Sequence, residues 1–306
     1  MRIVYLGTPD FSVKPLESIN ACKDFEIVGV VCNNDKEVGR KKILTPPPVK
    51  VKAVELGLKV LQYDDVSKEG VESIKALNPD VLVTCAFGQI LTQEVLDIAP
   101  YGVINVHASL LPKYRGASPV HQAIKDGEKK TGVTVMKTDI GIDTGDIVCV
   151  KELEIGEDQT LGEVFDALSE VGAEIIVDAL KSIADGTATF TPQDNNKTTR
   201  TGLVKKEHAK IDWTKSASEI KNLVRAYNPA PIAFTFLDGE QIKVYKVSVS
   251  DGKGGAGEII ACDKTLEVAC GDGSVIIEIL QKAGANKMSA QDFLRGSKLE
   301  KGRYFG

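Results

Sequence analysis

Arg2-Ile-Val-Tyr-Leu-Gly7 runs into the turn Thr8-Pro9-Asp10 and then into a stretch whose apolar residues, Leu16 and Ile19 among them, fall at helical spacing. A strand followed by a helix is the opening step of a βα alternation. The step repeats. Apolar, β-branched runs at 26–31, 58–63, 80–87, 102–109 and 132–138 are separated by amphipathic stretches near 48–56, 67–77, 92–99 and 118–126. Runs such as Val81-Leu-Val-Thr-Cys85 lack regular polar alternation and suit strands buried on both faces. The pattern predicts an α/β domain: a Rossmann-like, open, mostly parallel sheet with helices on both sides, closed by a long helix over 160–184.

After that helix the composition changes. Residues 186–202 are rich in Thr, Asn, Gln, Pro and Gly and poor in large apolar groups, which reads as a linker. Beyond it come one helical stretch at 216–227 and about five short strands separated by glycine-bearing turns, the pattern of a small, OB-like β-barrel. The boundaries are drawn as a domain over 1–188, a linker over 189–206 and a barrel domain over 207–306. A chain of 306 residues, 42% apolar and 26% charged, accommodates two such domains. No apolar run approaches the roughly 20 residues of a membrane span, and the first residues lack the basic region and cleavage site of a signal peptide. The expected location is the cytoplasm. Six cysteines without a C-x-x-C pair fit a reducing compartment and argue against a zinc site; no metal is expected.

A formal net charge of −5 argues at first against a nucleic-acid partner. The charge is unevenly distributed, however. From Glu207 onward 14 basic residues face 13 acidic ones, and in the segment 33–50 Lys36, Arg40, Lys41, Lys42 and Lys50 outnumber Asp35 and Glu37. These cations follow the second strand, at the edge of the sheet where ligands gather.

The carboxyl ends of the strands carry the chemistry in such a fold. The first ends in Gly7-Thr-Pro-Asp10 rather than G-x-G-x-x-G, and no G-x-x-x-x-G-K-[ST] occurs, so neither a dinucleotide nor a P-loop nucleotide is expected. The fifth carries Asn105 and His107, two apart and therefore on one face. Two polar groups at the ligand end of an apolar strand are costly unless bonded or used. The sixth strand is expected to release, at the same edge, a loop through Asp139, Gly141, Asp143, Gly145 and Asp146. Its acids do not match a calcium loop, and Asp143 between two glycines is able to turn inward. A carboxylate beside a histidine fixes its tautomer, and an asparagine amide donates to a developing oxyanion. With no Ser or Cys nucleophile in the set, these residues suggest direct acyl or formyl transfer between two bound substrates.

Asn105-Val-His107, Ser109-Leu-Leu-Pro112, Arg115-Gly116-Ala117 and Asp139-x-Gly141-x-Asp143-Thr-Gly-Asp146 together resemble the folate-dependent formyltransferases. The resemblance implies 10-formyltetrahydrofolate as donor, held by Phe87, Gly88, Gln89 and Ile90 and by Ser109, Leu110, Leu111 and Pro112. It also implies catalysis by Asn105, His107 and Asp143. Gly7-Thr-Pro-Asp-Phe11, the loop 33–42, Thr45-Pro-Pro-Pro-Val-Lys50, Ile211-Asp-Trp213, Val224-Arg-Ala-Tyr-Asn-Pro229 and the segment 288–296 are similar to the branch of the family that formylates methionine on initiator tRNA. This extends the resemblance over nearly the whole chain. It implies initiator methionyl-tRNA as acceptor, a role in translation initiation, a monomer, and a division into a formyltransferase domain and a tRNA-binding barrel.

Phosphate contacts are expected at Arg40, Lys41, Lys42, Lys205 and Lys206, with Lys210, Lys243, Lys246, Lys282 and Lys287 as further candidates. One departure is Ala230, where members of the family commonly carry Trp between the two prolines. An enzyme that formylates a small amine, such as a glycinamide ribonucleotide or an amino sugar nucleotide, shares the Asn-His-Asp core but has no evident need of the barrel and the basic loop. A non-catalytic RNA-binding protein has no evident need of the core. Trp213 reads as an anchor between the helix 216–227 and the barrel.

Overall fold

The computed structural model describes residues 1–39 and 41–306; Arg40 lies outside the described residues. The first sheet has seven strands, in the spatial order Ile147–Glu154, Lys130–Lys137, Val103–His107, Val81–Cys85, Arg2–Gly7, Glu26–Cys32 and Val60–Gln62. The last five are mutually parallel. Ile3, Val4, Tyr5, Leu6, Val81, Leu82 and Val83 are all fully buried, as strands covered on both faces require. From Arg2–Gly7 the chain builds outward through Glu26–Cys32 to Val60–Gln62, then returns to the other side with Val81–Cys85. The strand order therefore reverses between Arg2–Gly7 and Val81–Cys85, and a crevice beyond their carboxyl ends follows from that reversal.

Lys130–Lys137 runs antiparallel to Val103–His107, and Ile147–Glu154 antiparallel to it in turn, which corrects the expected placement of the loop between them. Ile104 stands opposite Lys137 and His107 opposite Thr134. The loop 138–146 thus begins beside the amino end of the Val103–His107 strand, not at its carboxyl edge, and folds back along the sheet. The outermost strand, Ile147–Glu154, was not anticipated from the pattern. Its second half alternates half-buried and exposed residues, with Lys151, Glu152 and Glu154 on it, as befits an edge. On the helix Leu161–Ala184, Gly172 allows close packing: a Cβ there would lie 3.1 Å from Val106 Cγ1. Ser169 Oγ donates to the Phe11 carbonyl at 2.9 Å.

The chain divides into two compact units. One comprises Met1–Pro119, Lys130–Glu154 and Phe165–Gly202; the other comprises Val120–Lys129, Ile155–Val164 and Leu203–Gly306. This differs from the boundaries drawn on the sequence at two places. Residues 189–202, read as linker, are a strap on the first unit: Arg200–Thr201 pairs in parallel with Arg115–Gly116, and Thr191 bridges to Ile147. The segments 120–129 and 155–164, read as part of the sheet domain, belong to the second unit. Buried Arg225 shows why, since its guanidinium donates to the carbonyls of Gly156, Gln159 and Ile124 at 3.1, 3.4 and 3.5 Å.

The second unit is a curled antiparallel sheet in the order Ala233–Leu237, Glu240–Ser250, Ser274–Lys282, Leu266–Ala269, Ile259–Ala261, with Met288–Ser289 also beside Ser274–Lys282. The helix Ala217–Ala226 contributes Ile220 and Val224 to its core. Ser216 and Glu219 form a reciprocal cap at the start of that helix. Residues 302–306 reach both outer strands: Phe236 and Gly306 exchange two backbone bonds of 3.0 Å, Ile259 donates to Arg303, and Phe305 donates to Gly257. Phe305 stacks on Trp213 with ring centroids 5.8 Å apart, and Trp213 Nε1 donates to the buried Thr235 hydroxyl at 2.9 Å. Trp213 therefore ties the Ala233–Leu237 strand to this tail, a role its sequence neighbourhood did not reveal. Among the described residues, no helix is long and apolar enough to cross a membrane.

Candidate active site

Register places Thr84 of the Val81–Cys85 strand directly beside Asn105. The Thr84 hydroxyl donates to Asn105 Oδ1 at 2.9 Å, which fixes the carboxamide with its N–H2 end outward. Among the described residues, no acceptor takes those two hydrogens. Two positions along, His107 is only 7% exposed. Its Nε2 lies 3.1 Å from the Tyr114 carbonyl oxygen, which accepts only, so Nε2 carries a proton and Nδ1 is the nitrogen turned toward Asp143. Asp143 Oδ1 is 3.7 Å from Nδ1, wider than a direct hydrogen bond. The other carboxylate oxygen, Oδ2, accepts from Gly116 N–H at 2.7 Å. The folded-back loop thus brings Asp143 beside His107, by a different route from the one the strand order predicted.

That loop is closely braced. Gly145 runs against the preceding strand so tightly that a Cβ would lie 1.8 Å from the Lys137 carbonyl oxygen. The strap bonds to it through Gln193 Nε2, which donates to the Asp143 carbonyl at 2.9 Å and to the Gly145 carbonyl at 2.7 Å. Gln193 Oε1 accepts from Arg115 Nε at 2.9 Å, and Arg115 Nη2 donates to Asn195 Oδ1 at 3.0 Å. Gly116 makes room for the strap: it has φ +106, and a Cβ would lie 2.2 Å from the Thr201 carbonyl oxygen. Sequence reasoning missed Thr84, Gln193 and the role of Arg115. Thr84 had a faint signal, as the one hydroxyl in the apolar run 81–85, whereas Gln193 had none.

The residues expected to hold the donor fall into two groups. Phe87 belongs to the apolar core, and Gln89 is engaged by Asn33 Oδ1, the Tyr63 carbonyl and Val66 N–H. Gly88 and Ile90, by contrast, are exposed, Ile90 at 82%. Ser109 is fully buried and donates to the Lys113 carbonyl at 2.8 Å, while Thr134 accepts from Leu111 N–H and donates to the Ser109 carbonyl. Leu111 is buried, and Leu110 and Pro112 are half-buried. Burial pushes the Cys85 thiol beside this loop up to about 12, so it stays protonated and is no nucleophile.

Residues Lys36–Val38 and Ile43–Thr45 form a small hairpin with exposed Lys41 and Lys42 near its tip and exposed Val38, Ile43 and Leu44 along it. Lys42 lies 3.5 Å from Glu37. Lys50 is paired with Asp35 at 2.7 Å and is thereby tied down at its base. Bonds from Lys50 and then Gln62 hold the Asp35 carboxyl below its ordinary range. Lys205 and Lys206 lie in the second unit, at the start of the turn Lys206–Ala209, and are exposed. Among the described residues, no group of three or more His, Cys, Asp or Glu side chains is placed to hold a metal.

A parallel-dominant sheet with Asn105 and His107 on one strand and Asp143 drawn up beside His107 describes the architecture, and comparison with known proteins gives the class. The formyl transferase family model matches residues 1–180, and the model of the formyl transferase C-terminal domain matches residues 203–298. The chain belongs to the formyl transferase family. It is 42% identical to the methionyl-tRNA formyltransferase of Ruminiclostridium cellulolyticum, over 100% of both chains. Against the methionyl-tRNA formyltransferase of Citrifermentans bemidjiense it is 44% identical, over 100% of this chain and 96% of that one. Among solved structures, HypX from Aquifex aeolicus in complex with tetrahydrofolic acid has 19% identity and a TM-score of 0.63, covering 99% of this chain and 51% of its own. An N-formyltransferase from Helicobacter canadensis, in complex with folinic acid and dTDP-3-aminofucose, has 21% identity and a TM-score of 0.67, covering 92% of this chain and 98% of its own. At these identities the two structures establish a shared fold.

Proposed function

We propose that this chain transfers the formyl group of 10-formyltetrahydrofolate to the α-amino group of methionine on initiator methionyl-tRNA, acting as a monomer in the cytoplasm at translation initiation. The observation that carries the reading is the site itself. Asn105 presents two free amide hydrogens, beside an imidazole and a carboxylate separated by a 3.7 Å gap. Attack of the amine on the formyl carbon turns the carbonyl oxygen into an oxyanion, and Asn105 Nδ2 is the preset donor for it. With Nε2–H committed to Tyr114, His107 Nδ1 takes the proton released by the amine, directly or through Asp143 and water. The N–H so formed adds a second donor to the oxyanion and returns its proton to the departing nitrogen of tetrahydrofolate. Asp143 neutralises the charge that passes over the ring. The donor is held along 87–90 and 109–112, where Gly88 and Ile90 offer the exposed surface.

Lys41, Lys42, Lys205 and Lys206, together with Arg40, are assigned to tRNA phosphates. Two relatives of this name, matched along the whole chain, favour this acceptor over a small amine. A single-turnover assay with labelled donor, run in parallel on charged initiator tRNA, charged elongator tRNA and small amines, tests it. Formylation of the small amines alone refutes it. Asn105→Ala or His107→Ala should lower kcat by on the order of 10²–10³-fold without unfolding, and near-normal turnover in either removes that residue from the mechanism. Affinity for tRNA should fall as salt is added, and a flat response contradicts the phosphate contacts.

A further inference from the structure

We propose that Gln193 is a positioning residue for formyl transfer, holding the Asp143 loop against the Arg115–Gly116 turn; this rests on the reading of Asp143 as a catalytic residue. The Gln193 carboxamide has one orientation open to it. At one end stand two carbonyl oxygens, Asp143 at 2.9 Å and Gly145 at 2.7 Å, which accept only; at the other stands Arg115 Nε–H, which donates only. An amide meets both demands at once. Glutamate has no hydrogen to give the two carbonyls, and an apolar side chain serves neither end.

What the bonds hold is under strain. Asp143 has φ +53, a left-handed conformation that a non-glycine residue keeps only when its surroundings impose it. Its carbonyl is fixed by Gln193 and its carboxylate by Gly116 N–H, so both restraints converge on one residue. Arg115 joins them. It is 3% exposed, it shares its guanidinium between Gln193 and Asn195 of the strap, and it immediately precedes Gly116. Removing the Gln193 amide frees the backbone at Asp143 and widens or misdirects the gap to His107. A displacement of about 1 Å at a reacting group costs on the order of 10²-fold in rate.

Steady-state kinetics on the full-length enzyme, with methionyl-tRNA and 10-formyltetrahydrofolate, compare Gln193→Ala, Gln193→Glu, Asp143→Asn and the double variant Gln193→Ala/Asp143→Asn, with thermal melts alongside. Each Gln193 variant should lower kcat by on the order of 10–100-fold while KM for both substrates moves by less than about threefold. Gln193→Glu keeps the size and the acceptor for Arg115, so it should remain folded and still lose turnover. In the double variant the loss should be no greater than in Asp143→Asn alone, because the second change disturbs a group already disabled. Wild-type kcat in Gln193→Ala or Gln193→Glu overturns the inference, as does a double-variant loss equal to the product of the single losses. A kcat loss that appears only with a collapsed melt in both Gln193 variants also overturns it, making the strap purely structural. Wild-type turnover in Asp143→Asn overturns the underlying reading of the site, and the inference with it.

Discussion

Two extended segments of this chain, 190–202 in the first unit and 302–306 in the second, both pair through backbone with what they cross but differ in what they add to it. The strap adds polar side chains to its backbone pairing: Gln193, Asn195, Thr199 and Thr201 bond to residues of the 114–118 turn and to the Asp143 loop. The tail, paired with Phe236, Gly257 and Ile259, adds one aromatic stack. Polar side chains set the angle of a few groups at short range, which a reaction needs. Backbone pairing and an apolar ring satisfy edge strands and exclude water, which a core needs. Each segment is therefore expected to fail in its own way, one in chemistry and one in stability.

The largest effect should come from Phe305→Ala, which removes a buried ring from the tail and should destabilise the second unit by about 3–5 kcal/mol. Hydrogen exchange should then quicken at the amides of Phe236 and Ile259, leaving Arg115 protected. Equal quickening at Arg115 would show that the tail does more than close its own unit. Gly116→Ala comes next. A Cβ 2.2 Å from the Thr201 carbonyl, on a residue at φ +106, should cost about 1–3 kcal/mol and lift the strap. Here exchange should quicken at Tyr114 and Arg115 while Phe236 and Ile259 hold, and turnover should fall with it; unchanged turnover would separate the strap from the chemistry.

The smallest effect lies outside both segments. The Asp35 carboxyl sits below its ordinary range, so the stability it contributes is full above the ordinary carboxylate value and is lost as pH falls through the lowered one. In Lys50→Met an NMR titration of Asp35 should move up toward the ordinary range. No movement would mean that Gln62 alone holds it.

Much of the first unit was legible because its strands are apolar runs whose period admits one reading, and because Asn105 and His107 interrupt such a run two residues apart. The strap was not legible, since the Thr, Asn and Gln that read as linker composition are the residues that make its bonds. Composition reports a preference for hydrogen bonding and says nothing of whether the partner is water or protein. The direction of the Lys130–Lys137 strand was hidden for a similar reason, as an apolar run has the same period read either way. The membership of 120–129 and 155–164 in the second unit rests on contacts distant in sequence, among them those of buried Arg225, whose carbonyl partners lie 66 to 101 residues away. The net positive balance of the 33–50 segment was counted correctly, but Lys50 is tied to Asp35 and leaves the exposed charge to the hairpin.

The strap also sets a clock. Gln193 follows Asp143 by 50 residues, and at about 5–20 residues per second a ribosome takes several seconds to add them. During that interval the emerging chain already contains Asn105, His107 and Asp143 but lacks the amide that holds the third in place. In a nascent first unit the Asp143 and Gly145 carbonyls therefore have no Gln193 amide to accept from, and the loop is braced only once the strap has left the ribosome.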